Sequence, residues 1–347
     1  MRVRVANKRK FTIWCCIFVL MILNIVFAIG KKLSGDDSSG GINLATKSNV
    51  VLAAESGSIT LEENEYFKKY TINTKNHIDE VNLEESKDFM DIHLKKADIA
   101  KLSIKGTNKE VNDVFYENSN SNLVIKFKKA FNENNFVEVD KSNGKKIIVL
   151  IAKKQEPFHH IVALDAGHGG EDIGANVGSI YEKDITLKIA DYTAEELRYR
   201  GFKVVRTRDE DKLLGLAEIG TIANAASADI FVSVHINYNK ESIYKGVSTY
   251  YYDKDGYQKD ERIKLAQTIQ SELVKSDNWE DRGILRENFQ VLRDTNMPSV
   301  LLECGFLSNP EDRNKLGRDE VLRNFSKNIS EGVVKYFSSS EGEKVTE

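Results

Sequence analysis

Apolar and polar positions follow two different periods along the chain. Between residues 59 and 153 they alternate at a period of two in short runs: "FMDIHL" (residues 89–94), "NLVIKFK" (122–128), "FVEVD" (136–140) and "KKIIVLIA" (145–152). Clusters rich in Asn and Gly, such as "ENSNSN" and "KSNGKK", separate them. Runs of this kind bounded by turn residues read as strands joined by hairpins, so 59–153 is expected to be a small β-rich domain. Its histidines, His77 and His93, stand alone in polar or alternating surroundings and read as surface or half-buried residues. Beyond a short hinge, "KKQEPFHH" (153–160), strand-like and helix-like runs take turns. Strands are predicted at "IVALDA" (161–166), "FKVVRT" (202–207), "DIFVSVH" (229–235), "GVSTYYY" (246–252) and "SVLLE" (299–303). Helices are predicted over 184–200, near 214–226, over 261–274 and over 320–337. The first has Ile185, Ile189, Tyr192 and Leu197 at helical spacing and Gly201 as its stop. Strand and helix in alternation predict an α/β fold for 160–338, a mostly parallel sheet with helices on both faces, followed by a polar tail (339–347).

The longest apolar run is of another kind. Residues 11–29, "FTIWCCIFVLMILNIVFAI", are apolar apart from Thr12 and Asn24, long enough to cross a hydrocarbon core. Arg2, Arg4, Lys8, Arg9 and Lys10 precede them, against Lys31 and Lys32 behind. This bias predicts a basic cytoplasmic tail (1–10), a transmembrane signal-anchor (11–30) and everything beyond on the outer side of the cytoplasmic membrane. A signal peptide cleaved near "AIG" (28–30) is the alternative and would make the protein secreted. "LSGDDSSGG" (33–41) opens a polar linker, taken as 31–58. Lys+Arg number 50 against 53 Asp+Glu, a net charge of -3, so no basic field points to a nucleic-acid partner. Cys15 and Cys16 lie in the apolar run, which leaves Cys304 alone and rules out a disulfide framework outside the membrane.

Ligands of open α/β sheets bind beyond the carboxyl ends of the strands. The α/β part holds two histidines past its hinge, and both fall at such ends: His168 in "ALDAGHGG" and His235 in "SVHIN". Zinc sites with an open position draw three ligands from His and carboxylates, so a nearby carboxylate should complete the set. Glu182 is the leading candidate, on the return from the glycine-rich loop to the first helix. Ser179 to Glu182 also fits a capping box, in which Glu182 would only start the helix, although Asp184 is as good a cap. Glu303 ends a buried strand, where a carboxylate is costly unless paired or beside a metal. It reads either as a solvated strand end or as the general base next to a metal site. Cys304 beside it reads as a small buried hydrophobe. "SNPE" (308–311) reads as a helix start.

Four stretches carry a family resemblance: "ALDAGHGGEDIGA", "YEKDITLKIA", "ANAASADIFVSVHIN" and "PSVLLECGFLSNPED". In order and spacing over about 160–338 they resemble the motifs of the zinc-dependent N-acetylmuramoyl-L-alanine amidases, the third amidase family of bacterial cell-wall hydrolases. The resemblance implies zinc held by His168, Glu182 and His235, Glu303 as the catalytic residue, and peptidoglycan as the substrate. Asn237 and Arg293 are candidate substrate contacts, which a capped loop and a surface arginine explain equally well. Ile173 and Ile219 depart from the family pattern, and neither removes a ligand. Residues 252–265 are too short for the blocking helix that some relatives carry. The β-rich part resembles the AMIN domains that precede many such amidases and bind peptidoglycan. A protein activator of unknown identity is compatible with all of this.

Overall fold

The computed structural model describes residues 47–51, 59–99, 113–118, 121–140 and 144–344. The expected cytoplasmic tail and signal-anchor lie outside the described residues, and among the described residues no helix is long and apolar enough to cross a membrane.

The first region is built of strands: β1 (Lys47–Val51), β2 (Ile59–Glu63), β3 (Phe67–Asn73), β4 (Asn82–Glu85), β5 (Phe89–Lys95), β6 (Val114–Asn118), β7 (Asn122–Lys128), β8 (Phe136–Val139) and β9 (Lys146–Ala152). They form two antiparallel sheets, ordered β1-β2-β3-β9-β8 and β4-β5-β7-β6. Alternation sends Tyr70, Ile72, Ile147 and Val149 of one sheet against Met90, Ile92, Ile125 and Phe127 of the other, in one apolar core. The unbroken run of β9 has a further cause. Its odd positions enter that core, while Ile148, Leu150 and Ala152 pack on the reverse face with Phe67 of β3 and with Tyr199 of the second region. A strand covered on both sides has no polar face to show. β1 falls inside the stretch expected to be linker. It is an edge strand paired only with β2, and one ladder partner is enough to order a polar segment.

The second region comprises β10 (His160–Ala166), β11 (Asn176–Val177), β12 (Ile180–Tyr181), α1 (Glu182–Tyr199), β13 (Phe202–Arg206), α2 (Leu216–Ala225), β14 (Ile230–Asn237), β15 (Val247–Tyr251), α3 (Lys259–Leu273), β16 (Asp281–Arg286), α4 (Gln290–Arg293), β17 (Ser299–Phe306), α5 (Pro310–Leu316) and α6 (Asp319–Lys344). Its main sheet is ordered β13-β10-β14-β17-β15-β16. Neighbours are parallel except β15, which runs against β17, so the sheet is mixed, with the expected parallel character through its centre. α1, α3 and α6 cover one face, packed on Val162, Leu164, Val232, Val234, Val300 and Leu302. α2 and α4 cover the other, on Ala163, Phe231 and Leu301. Each large aliphatic side chain buried this way contributes roughly 1.5–3 kcal/mol. β16, "DRGILR", escapes prediction because an edge strand with a largely solvated surface needs no apolar run. α6 continues through residues expected to be a polar tail. α5 starts as expected: Asn309 caps it by accepting from the Glu311 and Asp312 N–H groups, with Pro310 in its first turn.

Candidate metal centre and active site

β10, β14 and β17 are adjacent and parallel, so their carboxyl ends share one edge of the sheet. Register pairs His235 with Glu303, which places the two on the same face of neighbouring strands. One layer below, Asp165 stands opposite Ser233 and accepts hydrogen bonds from the Ser233 and Thr207 hydroxyls, both at 2.6 Å. Past β10 the chain turns through 167–170, with His168 itself in the left-handed region at φ 63°. Two of the loop's glycines leave no room for a side chain on the side of the candidate ligands. A Cβ on Gly167 would lie 2.4 Å from the His235 ring, and one on Gly174 would lie 2.5 Å from Glu182 Oε2 and 2.7 Å from His168 Cδ2. The glycines therefore let the loop close around three side chains.

Glu182 is the first residue of α1. The cap position, Tyr181, makes no side-chain cap, so neither the Ser179 capping box nor an Asp184 cap forms. The loop supplies the partners instead: Glu182 N donates to Ala175 O at 2.8 Å and Lys183 N to Ile173 O at 3.3 Å. That frees the Glu182 carboxylate to point inward, where only 3% of the residue is exposed. Its Oε1 lies 3.2 Å from His168 Nε2 and 3.1 Å from His235 Nδ1, and accepts from Ile236 N at 2.8 Å. Oε2 accepts from Ala175 N at 2.7 Å. Burial opposes ionisation here, but hydrogen bonds from the two histidines hold Glu182 far below the usual carboxylate range. The same pairing acts in reverse on His168: burial disfavours its charge, yet Glu182 and Asp172 raise it to about 9. His235 also moves up, as burial is outweighed by Glu182.

Asp172 was not singled out by sequence. Its Oδ2 lies 2.8 Å from His168 Nδ1 while Oδ1 accepts from Gly174 N at 3.1 Å, which turns His168 Nε2 toward the other two groups. A carboxylate four residues past a loop histidine is the signal that was available. A ligating imidazole commonly has its second nitrogen held by a carboxylate in this manner. His168, Glu182 and His235 each offer a ligand atom within 4.8 Å of the others. Two imidazoles and one carboxylate, converging this closely, are the donor types of an open zinc site, so the group fits.

Glu303 adjoins this triad. Its Oε2 is buried and has no hydrogen-bond partner among the described residues. Burial pushes its pKa up to about 7, opposed by His235 and reinforced by Glu182. Cys304, one position on, points to the opposite face into the core, a free thiol whose pKa burial raises well above its ordinary value. The triad and Glu303 line a hollow of about 510 Å³ together with Ala175, Asn176, Asn237 and Tyr238. Asn237 is thus at the site, its Oδ1 accepting from Tyr238 N at 2.8 Å. Arg293 is not. It bonds Asn288 Oδ1 at 2.9 Å and lines a separate hollow with Tyr257 and Arg262. His77 and His93 sit in the first region beside Asp79 and Glu84, apart from the triad.

Residues 162–335 match the family model described as N-acetylmuramoyl-L-alanine amidase. The chain belongs to this amidase family. It is 38% identical over 187 residues to the uncharacterized protein YqiI of Bacillus subtilis, a match covering 54% of this chain and 89% of that one. Identity to the N-acetylmuramoyl-L-alanine amidase LytC of Bacillus subtilis is 32% over 206 residues, 59% of this chain and 41% of the relative. The crystal structure of N-acetylmuramoyl-L-alanine amidase from Clostridium difficile 630 aligns with a TM-score of 0.50 and 38% identity, covering 52% of this chain and 97% of that one. The amidase match begins within β10 and ends within α6, so it contains the triad and Glu303 and excludes the first region.

Proposed function

We propose that this amidase hydrolyses peptidoglycan at the amide joining the lactyl group of N-acetylmuramic acid to the L-alanine of the stem peptide, with a zinc ion held by His168, Glu182 and His235. When bound, that ion supplies positive charge that acidifies the attacking water and polarises the scissile carbonyl. The chain's own residues do the rest. Glu303 accepts a proton from the water as its oxygen joins the carbonyl carbon, then returns a proton to the departing nitrogen as the C–N bond breaks. The products are a lactyl carboxylate and a peptide with a free N-terminal L-alanine. Asp172 fixes the ring of His168, and Asn237 borders the hollow in front of the triad. The observation that carries this reading is the unpartnered, buried Glu303 Oε2 beside the histidine–carboxylate triad. A carboxylate left so costs free energy, and work on a reacting proton accounts for it.

The first region is assigned to peptidoglycan binding as an AMIN-like domain, and residues 11–30 to an anchor in the cytoplasmic membrane that keeps the hydrolase outside, facing the wall; if they are cleaved, the protein is secreted. The full chain incubated with purified peptidoglycan is expected to release new N-terminal L-alanine, to lose this activity to a zinc chelator, and to regain it with added zinc. Release of a different terminus, or activity indifferent to the chelator, refutes the assignment.

A further inference from the structure

Two arginines of the α/β region are almost fully buried, Arg208 at 4% exposure and Arg262 at 2%. Arg262 spends its guanidinium on the carbonyls of Tyr252, Leu292, Thr295 and Met297 and on Ser299, all at the amino end of β17, opposite to the metal centre. Arg208 is bonded just as fully, but its partners flank the candidate ligands. Its Nε donates to Ala166 O at 2.8 Å and its Nη2 to Gly167 O at 3.1 Å, on the two residues before His168. The same Nη2 donates to Lys183 O at 2.9 Å, on the residue after Glu182, and to Thr186 Oγ1 at 3.2 Å. Thr186 in turn donates to Gly167 O at 2.8 Å, and Nη1 of Arg208 reaches Glu210 O at 3.0 Å. Burial lowers the Arg208 guanidinium below its ordinary range, and the carboxylates of Asp165 and Asp211 offset this only in part.

A guanidinium is planar and its donors are fixed in direction, so carbonyls bound to it are held at set separations. His168 and Glu182 come from different elements, a loop after β10 and the first turn of α1, and among the described residues Arg208 is bonded to the chain immediately next to both. We propose that Arg208 is a positioning residue of the metal centre: through Gly167 and Lys183 it sets the distance between the ligands His168 and Glu182. It touches neither the ion nor the substrate. The inference rests on the zinc reading of the triad.

The test compares zinc affinity, by chelator competition, in the full chain and in Arg208→Lys and Arg262→Lys, with the thermal midpoints of the metal-free proteins and the visible spectrum of the cobalt-loaded ones. Arg208→Lys is expected to bind zinc about 10- to 100-fold more weakly and to shift the cobalt band, as loss of a ligand's support does. Arg262→Lys is expected to lose thermal stability with zinc affinity and cobalt band unchanged. Zinc binding by Arg208→Lys at the parent affinity overturns the proposal, as does an equal loss in Arg262→Lys. If Arg208→Lys does not fold, Thr186→Val removes one bond of the same clamp, and a loss of roughly 2- to 10-fold is expected; parent affinity in that folded variant overturns it. Failure of the unaltered chain to bind zinc would instead refute the metal reading itself.

Discussion

β9 and β14 are both covered on two faces, yet they are filled differently. β9 carries Ile147 to Ala152 without a polar side chain, whereas β14 admits Ser233 into an equally enclosed position and His235 into a half-buried one. In β9 every buried group is satisfied by contact alone, so the strand serves as a wall between its own core and Tyr199 of α1. In β14 each polar group has a fixed partner: Ser233 holds Asp165 and His235 holds Glu182. Polar groups are expensive to bury and become tolerable only when paired, so their presence in an enclosed strand marks where the fold gives up stability for chemistry. Glu303, with one oxygen unpaired, is the extreme of that exchange.

The largest expected effect tests the chemical side of this contrast. Glu303→Gln keeps the shape and the zinc site but removes the proton carrier, so turnover on peptidoglycan should fall by about 10²- to 10⁴-fold with bound zinc unchanged by metal analysis. A variant with parent activity would leave the unpaired oxygen without a role. Next comes the apolar side. Phe127 is fully buried between the two antiparallel sheets, so Phe127→Ala should destabilise the first region by about 3–5 kcal/mol in denaturant unfolding. Zinc affinity should stay at the parent value, and a matching loss of zinc would show that the two regions do not divide the labour as described.

The smallest effect concerns the junction between them. Lys69 of β3 pairs with Glu195 on α1 at 2.6 Å and lies near Glu196; against the opposing influence of burial, Lys69 is shifted upward by Glu195 and Glu196, and Glu196 downward by Lys69 and Arg200. A carboxylate whose folded pKa is depressed contributes its full stability above its unfolded value near 4.3 and loses it as the pH falls through the lower folded value. Lys69→Met should therefore cost about 1–3 kcal/mol at pH 7, with the deficit shrinking below about pH 4. A deficit that does not change with pH in urea titrations would mean that packing, and not charge, joins the regions here.

Much of the fold was legible because burial leaves a local trace. The alternation in "NLVIKFK" and the helical spacing of Ile185, Ile189 and Leu197 report faces that must be apolar whatever lies against them. β16 left no such trace, since an edge strand can be charged at both ends, and β15 shows no sign of its direction because a strand reads alike either way. At the site, His168, His235 and Glu303 stood out as polar residues at the ends of apolar runs. Asp172 and Arg208 did not, because their importance comes from what they hold rather than from where they stand in a pattern.

By itself, then, the order of residues determined the two classes of structure, the sheet edge at which polar side chains collect, and the motifs that tie residues 162–335 to the amidase family. The tertiary structure alone turned Glu182 away from capping its helix and inward between two histidines, drew Asp172 and Arg208 to the same centre, and sent Arg293 to another hollow. The physical reason is range. A side chain's apolar or polar character constrains its immediate environment, but which partners fill that environment depends on strand order and register, and those are settled by contacts between residues far apart in the chain.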